Sequence, residues 1–568
     1  MATTTATATR TIARLWQDAV AREPDGTAYL VEEDGEWKPV TWAEAGRVVD
    51  ELAHGLLALG VRKGDAFAIF ASTRIEWVLF DFALALVGGV TAPIYVNSSP
   101  RDVAYVLAHS EAVGVLCEDE QQRQKVSDAA PEHVFTFAEL DDLRARGREH
   151  AQLEPNAVAQ AAAEIGEDDL YTYIYTSGTT GPPKGCMIRH RNYYAMTNKV
   201  NGLDDFTAPG DVMLLFLPLA HNFGRCMALG GAQMGYTVAF CPDPYAVAEA
   251  LPAVRPTVFP SVPRVYEKIH TGITTKFGEE TGAKRALIDW ALRIGREASE
   301  LRQSGRELPR WLALQHRVAD RLVYSKVKDR LGGRLRFGIS GGAPLAKEIL
   351  EFFHALDILI LEGYGLTECT TAATVNRPSR FRFGTVGPAL PGVELRVADD
   401  GEVLIRTETI FAGYYKDDRG TQEVLPEGGW LRSGDVGHVD EDGFLTITDR
   451  KKDIIITAGG KNVAPQNLEN ALKMHPLVSQ ALVIGDRRPY VAALITVVEG
   501  KTPDEARFEI EQLVESVNHD LSRYEQIKRY AILPRDFSAE EDEVTPTLKL
   551  KRRVVQDHFA AEIEALYS

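Results

Sequence analysis

The stretch Tyr175-Thr176-Ser177-Gly178-Thr179-Thr180-Gly181-Pro182-Pro183-Lys184-Gly185 governs the reading of this chain. From Thr176 on it holds three glycines, four hydroxyl side chains and one lysine. Leu170-Tyr171-Thr172-Tyr173-Ile174-Tyr175 leads into it, aromatic and β-branched as strands prefer. A helix-compatible run begins near His190. A glycine-rich loop leaving a strand lets backbone N–H groups approach a phosphate without Cβ interference. Hydroxyls add donors, and lysine adds a mobile positive charge. The composition predicts a loop that handles polyphosphate. It is not a Walker A loop, which needs Gly-Lys followed by a hydroxyl; here Pro182 and Pro183 precede Lys184, and Gly185 follows it. The competing reading is a plain Gly/Ser/Thr surface loop, and most such loops lack this density of donors.

Length and composition bound the rest. A chain of 568 residues exceeds one ordinary core, so at least two domains are expected. With 45% hydrophobic and 25% charged residues the composition is globular. A net charge of −18 argues against nucleic-acid binding. Cys117, Cys186, Cys226, Cys241 and Cys369 are scattered without metal spacing, which suggests reduced thiols and a cytoplasmic protein. Cys186 and Cys369 abut the motifs but read as small buried residues rather than nucleophiles. Met1 to Arg10 has no apolar core and reads as a loose lead, not a secretory signal. No run approaches the roughly 18 apolar residues of a membrane-spanning helix.

Along the chain, Ile12, Leu15, Trp16 and Ala19 fall at helical spacing. Thr41 and Glu44 form a capping box for a helix whose apolar face is Val49, Leu52, Ala53 and Leu56, with Gly60 as its stop. Strand candidates at 66–70, 212–217, 237–240, 335–339 and 358–361 alternate with helices. That alternation predicts an α/β architecture with largely parallel sheets. Lys284 to Arg336 is helical, with one apolar stripe at Leu287, Trp290, Ala291 and Ile294 and another at Trp311, Leu314, Val318 and Leu322. This segment carries fourteen lysines and arginines against six acidic residues. Attraction to an anionic surface competes there with an ordinary solvated face. After Thr385 the texture turns β-rich, with a hairpin at Asp400-Gly401 and a strand near Phe444-Thr448. The charge cluster Asp449-Arg450-Lys451-Lys452-Asp453 then precedes a small unit with strands near 481–484 and 490–498. A helix there uses Ile510, Leu513, Val514, Val517 and Leu521.

Four further stretches carry chemistry. Gly363-Tyr364-Gly365-Leu366-Thr367-Glu368 follows an apolar strand; its glycines permit a tight turn, Tyr364 can stack on a base, Thr367 can donate to a phosphate, and Glu368 can help hold Mg²⁺. Asp435, after Gly429-Trp430-Leu431-Arg432-Ser433-Gly434, offers two acceptor oxygens that could take both ribose hydroxyls, or merely close a β-turn. His221 follows Leu217-Pro218-Leu219-Ala220, where a lone histidine is often structural. Thr545-Pro546-Thr547-Leu548-Lys549-Leu550-Lys551-Arg552-Arg553 is a basic cluster, usually a solvated face.

Taken together, these motifs resemble the acyl-adenylate-forming superfamily over nearly the whole chain, and its long-chain fatty acyl-CoA synthetases most. Val262-Pro263-Arg264-Val265-Tyr266-Glu267-Lys268, the loop Ser340-Gly341-Gly342-Ala343-Pro344-Leu345, the 449–453 cluster and the helical insert favour that branch. The resemblance implies a large N-terminal α/β domain (1–449) with β-sheets and a β-rich subdomain. It also implies a small mobile α+β C-terminal domain (450–568) hinged at 449–453. ATP, Mg²⁺ and CoA would be used with a fatty acid. Thr176, Ser177, Gly178, Thr179, Thr180, Gly181 and Lys184 would cradle phosphates. Gly342, Ala343, Pro344, Gly363, Tyr364 and Gly365 would frame adenine, and Thr367 would also face the nucleotide. Asp435 and Arg450 would take the ribose, with Lys452 as hinge. Thr176 and Glu368 would hold the metal, His221 would line the acyl-carboxylate pocket, Lys549 would be the catalytic lysine, and His221, Thr367 and Glu368 would share in catalysis. Two departures stand out: Leu548 replaces the glycine that commonly precedes that lysine, and Ile456 replaces a lysine that some relatives use for thioester formation. The alternatives are a relative that loads an acyl carrier protein and a non-catalytic nucleotide- or lipid-binding protein. Peripheral contact with the inner face of an anionic membrane and a homodimer are further expectations.

Overall fold

The computed structural model describes residues 9–126, 129–176, 182–203, 205–498, 500–519, 521–538, 540–545 and 550–568. Among them, a seven-stranded sheet has Leu170–Thr176, Val90–Ile94, Ala66–Phe70, Gly114–Cys117 and His133–Thr136 running parallel. Lys184–Arg189 and Gly413–Tyr414 add to its other edge antiparallel. A second sheet of eight strands is built on the parallel set Ile360–Tyr364, Phe337–Ser340, Val258–Ser261, Val212–Leu215, Thr237–Phe240 and Thr27–Glu33. Helices that are apolar on most of their surface, such as Ile75–Val87, lie buried in the core these sheets share.

Local sequence explains the element ends. Thr41 and Glu44 form the expected capping box on Trp42–Ala58, whose buried face includes Val49, Leu52, Ala53 and Leu56. Four antiparallel strands, Glu394–Val397, Glu402–Arg406, Leu431–Val439 and Leu445–Arg450, make the β-rich unit, and Gly401 turns its first hairpin at φ +82°. From Ile455 onward a separate core forms around Val478–Ile484, Val491–Val497 and the helix Pro503–His519, with Ile510 and Val514 buried as expected. Lys451 is still tied to the β-rich unit through Asp400 and Glu402, at 2.6 and 3.0 Å. Ile455 already pairs with Val463 on the other side. Across the junction, Arg264 donates to the Ser479 carbonyl and hydroxyl at 2.7 and 2.8 Å, and Lys473 reaches Glu267 at 3.2 Å.

Three expectations shift. The strand placed at 358–361 is Ile360–Tyr364, because Asp357 (φ +62°) and Ile358 still close the preceding helix, the Ile358 N–H reaching the Phe353 carbonyl. Gly363 and Tyr364 therefore end a strand, paired with Val375 and Thr374, and only Gly365 begins the turn. Second, the phosphate-loop stretch closes an antiparallel hairpin, Thr176 opposite Lys184, before the helix His190–Asn201 starts. Third, of the two apolar stripes in 284–336 only the first is turned inward. Ala291 and Ile294 are buried and Leu287 and Trp290 partly so, whereas Trp311, Leu314, Val318 and Leu322 are exposed. Among the described residues no helix is long and apolar enough to cross a membrane.

A buried ion pair ties the strand that leads to the phosphate loop into both sheets' packing. Asp81 accepts from Thr91 Oγ1 at 2.6 Å, from Tyr171 Oη at 2.5 Å and from Arg225 Nε at 3.1 Å. Arg225 also donates to Thr172 Oγ1 at 2.6 Å and lies 4.4 Å from the centre of the Tyr171 ring. Removing one partner strands the other charge away from water. Arg225→Leu should therefore destabilise the chain by about 3–5 kcal/mol, read as a lower urea midpoint; an unchanged midpoint would mean the pair contributes nothing.

Candidate active site

The sequence-identified motifs meet along one cavity of 3260 Å³. Ordinary small-molecule pockets enclose about 300–1,000 Å³, so this one has room for a nucleotide together with further substrates. Thr176, Lys184, His221, Gly342, Ala343, Pro344, Gly363, Tyr364, Gly365, Thr367, Glu368, Asp435, Arg450 and Lys452 all line it. Ser177, Gly178, Thr179, Thr180, Gly181 and Lys549 lie outside the described residues. Pro182 and Pro183 on one side, and Thr545 and Leu550 on the other, border those gaps and line the same cavity.

Two hydrogen-bonded groups organise the wall. Asp435 stands opposite Arg450 on neighbouring strands of the β-rich unit. Its Oδ1 meets Arg450 Nε at 2.9 Å, and its Oδ2 accepts from Tyr364 Oη at 2.6 Å. Burial, then the adjacent Asp435 carboxylate, raise the Tyr364 hydroxyl far above its ordinary range, so it remains a neutral donor. The carboxylate thus joins the end of the strand Ile360–Tyr364 to the segment that leads into Lys452. Burial, then Arg450, push the Lys452 ammonium down.

The second group surrounds the hairpin of Leu170–Thr176 and Lys184–Arg189. Glu368 Oε1 accepts from Tyr414 Oη at 2.6 Å. Lys184 Nζ sits 2.8 Å from Asp417 Oδ2 and 4.8 Å from the centre of the Tyr414 ring. Tyr414 and Asp417 had no signal in the sequence; they arrive because Gly413–Tyr414 adds to the edge of Lys184–Arg189. Gly365 is required sterically, since a Cβ there would come within 1.8 Å of the Thr371 carbonyl oxygen. His221 caps the helix Asn222–Met234, its Nδ1 accepting from the Phe223 N–H at 3.2 Å. Cys186 and Cys369 are buried free thiols; burial pushes Cys369 up to about 12, consistent with their reading as packing residues.

Glu362 was missed, although it is the one charged side chain in Ile358-Leu359-Ile360-Leu361-Glu362. It is buried on the cavity wall, and its Oε1 accepts from the Leu345 N–H at 3.0 Å, pinning the Ser340–Leu345 loop to the strand that carries Tyr364. Burial raises its carboxyl from 4.5 to about 8. Below pH 4.5 folded and unfolded chains both hold this proton. As pH rises from there to about 8 only the unfolded chain releases it, so stability falls across that window. Glu362→Gln keeps the acceptor and removes the titration. Urea midpoints between pH 5 and 8 should show the wild type losing up to about 1.4 kcal/mol per pH unit relative to the variant; parallel curves would contradict the buried, protonated carboxyl.

Residues 16–415 match the AMP-binding enzyme family, and residues 452–568 match the AMP-binding enzyme C-terminal domain. The chain is 39% identical to long-chain-fatty-acid–CoA ligase FadD15 of Mycobacterium bovis, across 96% of this chain and 95% of that protein. It is 30% identical to long-chain-fatty-acid–CoA ligase ACSBG2 of Xenopus laevis, across 98% of this chain and 84% of that protein. The crystal structure of the anthranilate CoA ligase AuaEII in complex with anthranoyl-AMP shares its fold, with a TM-score of 0.78 at 20% identity over 99% of this chain and 100% of that one. With both of these family matches and with a relative covered nearly end to end, the chain belongs to the AMP-binding enzyme family.

Proposed function

We propose that this chain is an ATP- and Mg²⁺-dependent ligase that joins a long-chain fatty acid to CoA through an acyl-adenylate. The convergence of Thr176, Lys184, Tyr364, Glu368, Asp435 and Arg450 on one cavity, in a family whose curated relatives carry that activity in their names, supports the reading. A carboxylate resists nucleophilic attack because its charge is delocalised. Its oxygen first attacks the α-phosphorus of ATP, and pyrophosphate leaves with the electron pair of the broken P–O bond. The CoA thiolate then attacks the acyl carbon, and AMP leaves.

Such chemistry is largely positioning and charge neutralisation. Tyr364 offers a ring face to the base, while Asp435, held by Tyr364 and Arg450, accepts from the ribose hydroxyls. Glu368 and Thr176 supply hard oxygen donors suited to Mg²⁺, which keeps several waters and phosphate oxygens of its own. When bound, that ion would neutralise charge between phosphates. His221 faces the acyl carboxylate, and Lys549 neutralises the carboxylate and α-phosphate oxygens. The unit 1–449 binds ATP and acid, and 450–568 moves about a hinge at 449–453. That Lys451 is tied to one side and Ile455 to the other supports a pivot at Lys452.

AMP release across fatty acids of graded length, with and without CoA, tests the whole reading. CoA-dependent AMP formation rising toward long acids is expected. Pyrophosphate release with transfer only to an acyl carrier protein would replace it with the carrier-loading activity, and no release at all with a binding protein. Glu368→Gln should lose adenylation by on the order of 10²-fold or more with the fold intact; near wild-type rates at ordinary Mg²⁺ would remove Glu368 from the metal site. Lys549→Ala should abolish acyl-AMP formation yet largely spare thioester formation from supplied acyl-AMP. Lys452→Pro, with φ locked near −65°, should do the reverse. Equal impairment of both half-reactions in both variants would contradict alternation about the hinge.

A further inference from the structure

Residues Arg310 to Arg330 form a continuous helical run, interrupted by a π turn at Asp320–Tyr324. Its inner face, Leu312, His316, Ala319 and Val323, is buried, and the run packs on the helix Gly282–Gln303. An outward-facing stripe beside it is apolar, and no element among the described residues covers it. Trp311, Leu314, Val318 and Leu322 are 53%, 63%, 43% and 40% exposed. Spaced by three, four and four residues, they form one stripe along the helix. An ordinary surface helix turns its apolar face inward and a polar face outward; this run is apolar on its buried face and on this exposed stripe as well.

The charge beside the stripe indicates what covers it. Arg310, Arg317 and Arg321 are exposed along one edge of it. Among the described residues, ion pairs in the 284–336 segment are made by Lys284, Arg285, Arg302, Lys328 and Arg336. Of the two acids in the run, Asp320 is engaged by Lys328 at 2.6 Å, and Asp329 lies seven residues beyond Leu322. The edge arginines therefore keep their charge available in a segment of net +8, within a chain of net −18. A second copy of this face would bring like charges together. A bilayer with anionic headgroups satisfies both features: the indole and aliphatic groups enter the headgroup–acyl boundary, and the arginines extend to lipid phosphates. We propose that the outer face of 310–322 is a peripheral docking surface for anionic phospholipid bilayers. It would hold the protein where a sparingly soluble acid partitions, though the surface stands independently of the ligase reading.

The test is cosedimentation of the full chain with phosphatidylcholine vesicles, with and without phosphatidylglycerol, at low and high salt. Wild type should partition onto the anionic vesicles and be weakened by salt. Trp311→Ser/Leu314→Ser should lower partitioning at least about tenfold, and Arg310→Glu/Arg317→Glu/Arg321→Glu by on the order of 100-fold. Exposed positions make unfolding a poor explanation, and matching urea midpoints would exclude it. The proposal is overturned if wild type ignores phosphatidylglycerol, or if both variants partition like wild type. It is also overturned if the stripe variant converts a stable dimer to monomer while lipid binding is absent. Lipid-free AMP formation by the same variants should be unchanged, which separates failure of this surface from failure of the ligase reading.

Discussion

The carboxylate of Asp435 is the constraint on which the rest of the site depends. One oxygen is held by Arg450 at 2.9 Å and the other by Tyr364 at 2.6 Å. Tyr364 ends a strand of the eight-stranded sheet, Asp435 belongs to the β-rich unit, and Arg450 is the last strand residue before the junction with the C-terminal unit. Three regions far apart in sequence are thereby referred to one point. A carboxylate has about four acceptor sites, so these two partners orient Asp435 without exhausting it.

The same economy runs through the rest of the wall. Tyr414 serves two partners at once, donating to Glu368 and lying beneath Lys184, so an acidic and a basic side chain of the cavity wall are spaced by one phenol. Glu362 fastens the Ser340–Leu345 loop to the strand carrying Tyr364. Buried polar groups with few partners are costly to disturb, which is how loops rich in glycine can still present fixed edges to a ligand.

Much of this was legible in the sequence because it is local. Thr41 with Glu44 specifies a helix start within four residues, the alternation of short apolar runs with helical spacing specifies α/β layers, and the spacing around Gly363–Glu368 follows directly from its chain. What was not legible is relational. Nothing in Gly413-Tyr414-Tyr415-Lys416-Asp417 announces that it will border Lys184, because that depends on an edge pairing across more than two hundred residues. Helical periodicity found the stripe at Trp311, Leu314, Val318 and Leu322 but could not say which way it faces; the inward side is taken by the smaller set Leu312, His316 and Ala319. The reach of Arg264 to Ser479 likewise needs the C-terminal unit in place, although Arg264 and Glu267 stood in a motif already marked.

Because Asp435 sits at the meeting point, binding of nucleotide to a variant altered there bears on the account most directly. Calorimetric titration of AMP into the wild type and Asp435→Asn, with the urea midpoints of both proteins compared first, isolates the carboxylate's part in binding. The account predicts an intact fold and affinity weakened by on the order of 100-fold, since charge-assisted bonds to two hydroxyls are lost together. Affinity within about threefold of wild type, well below what one such bond is worth, would contradict the assignment of Asp435 to the ribose and with it the proposed placement of the nucleotide.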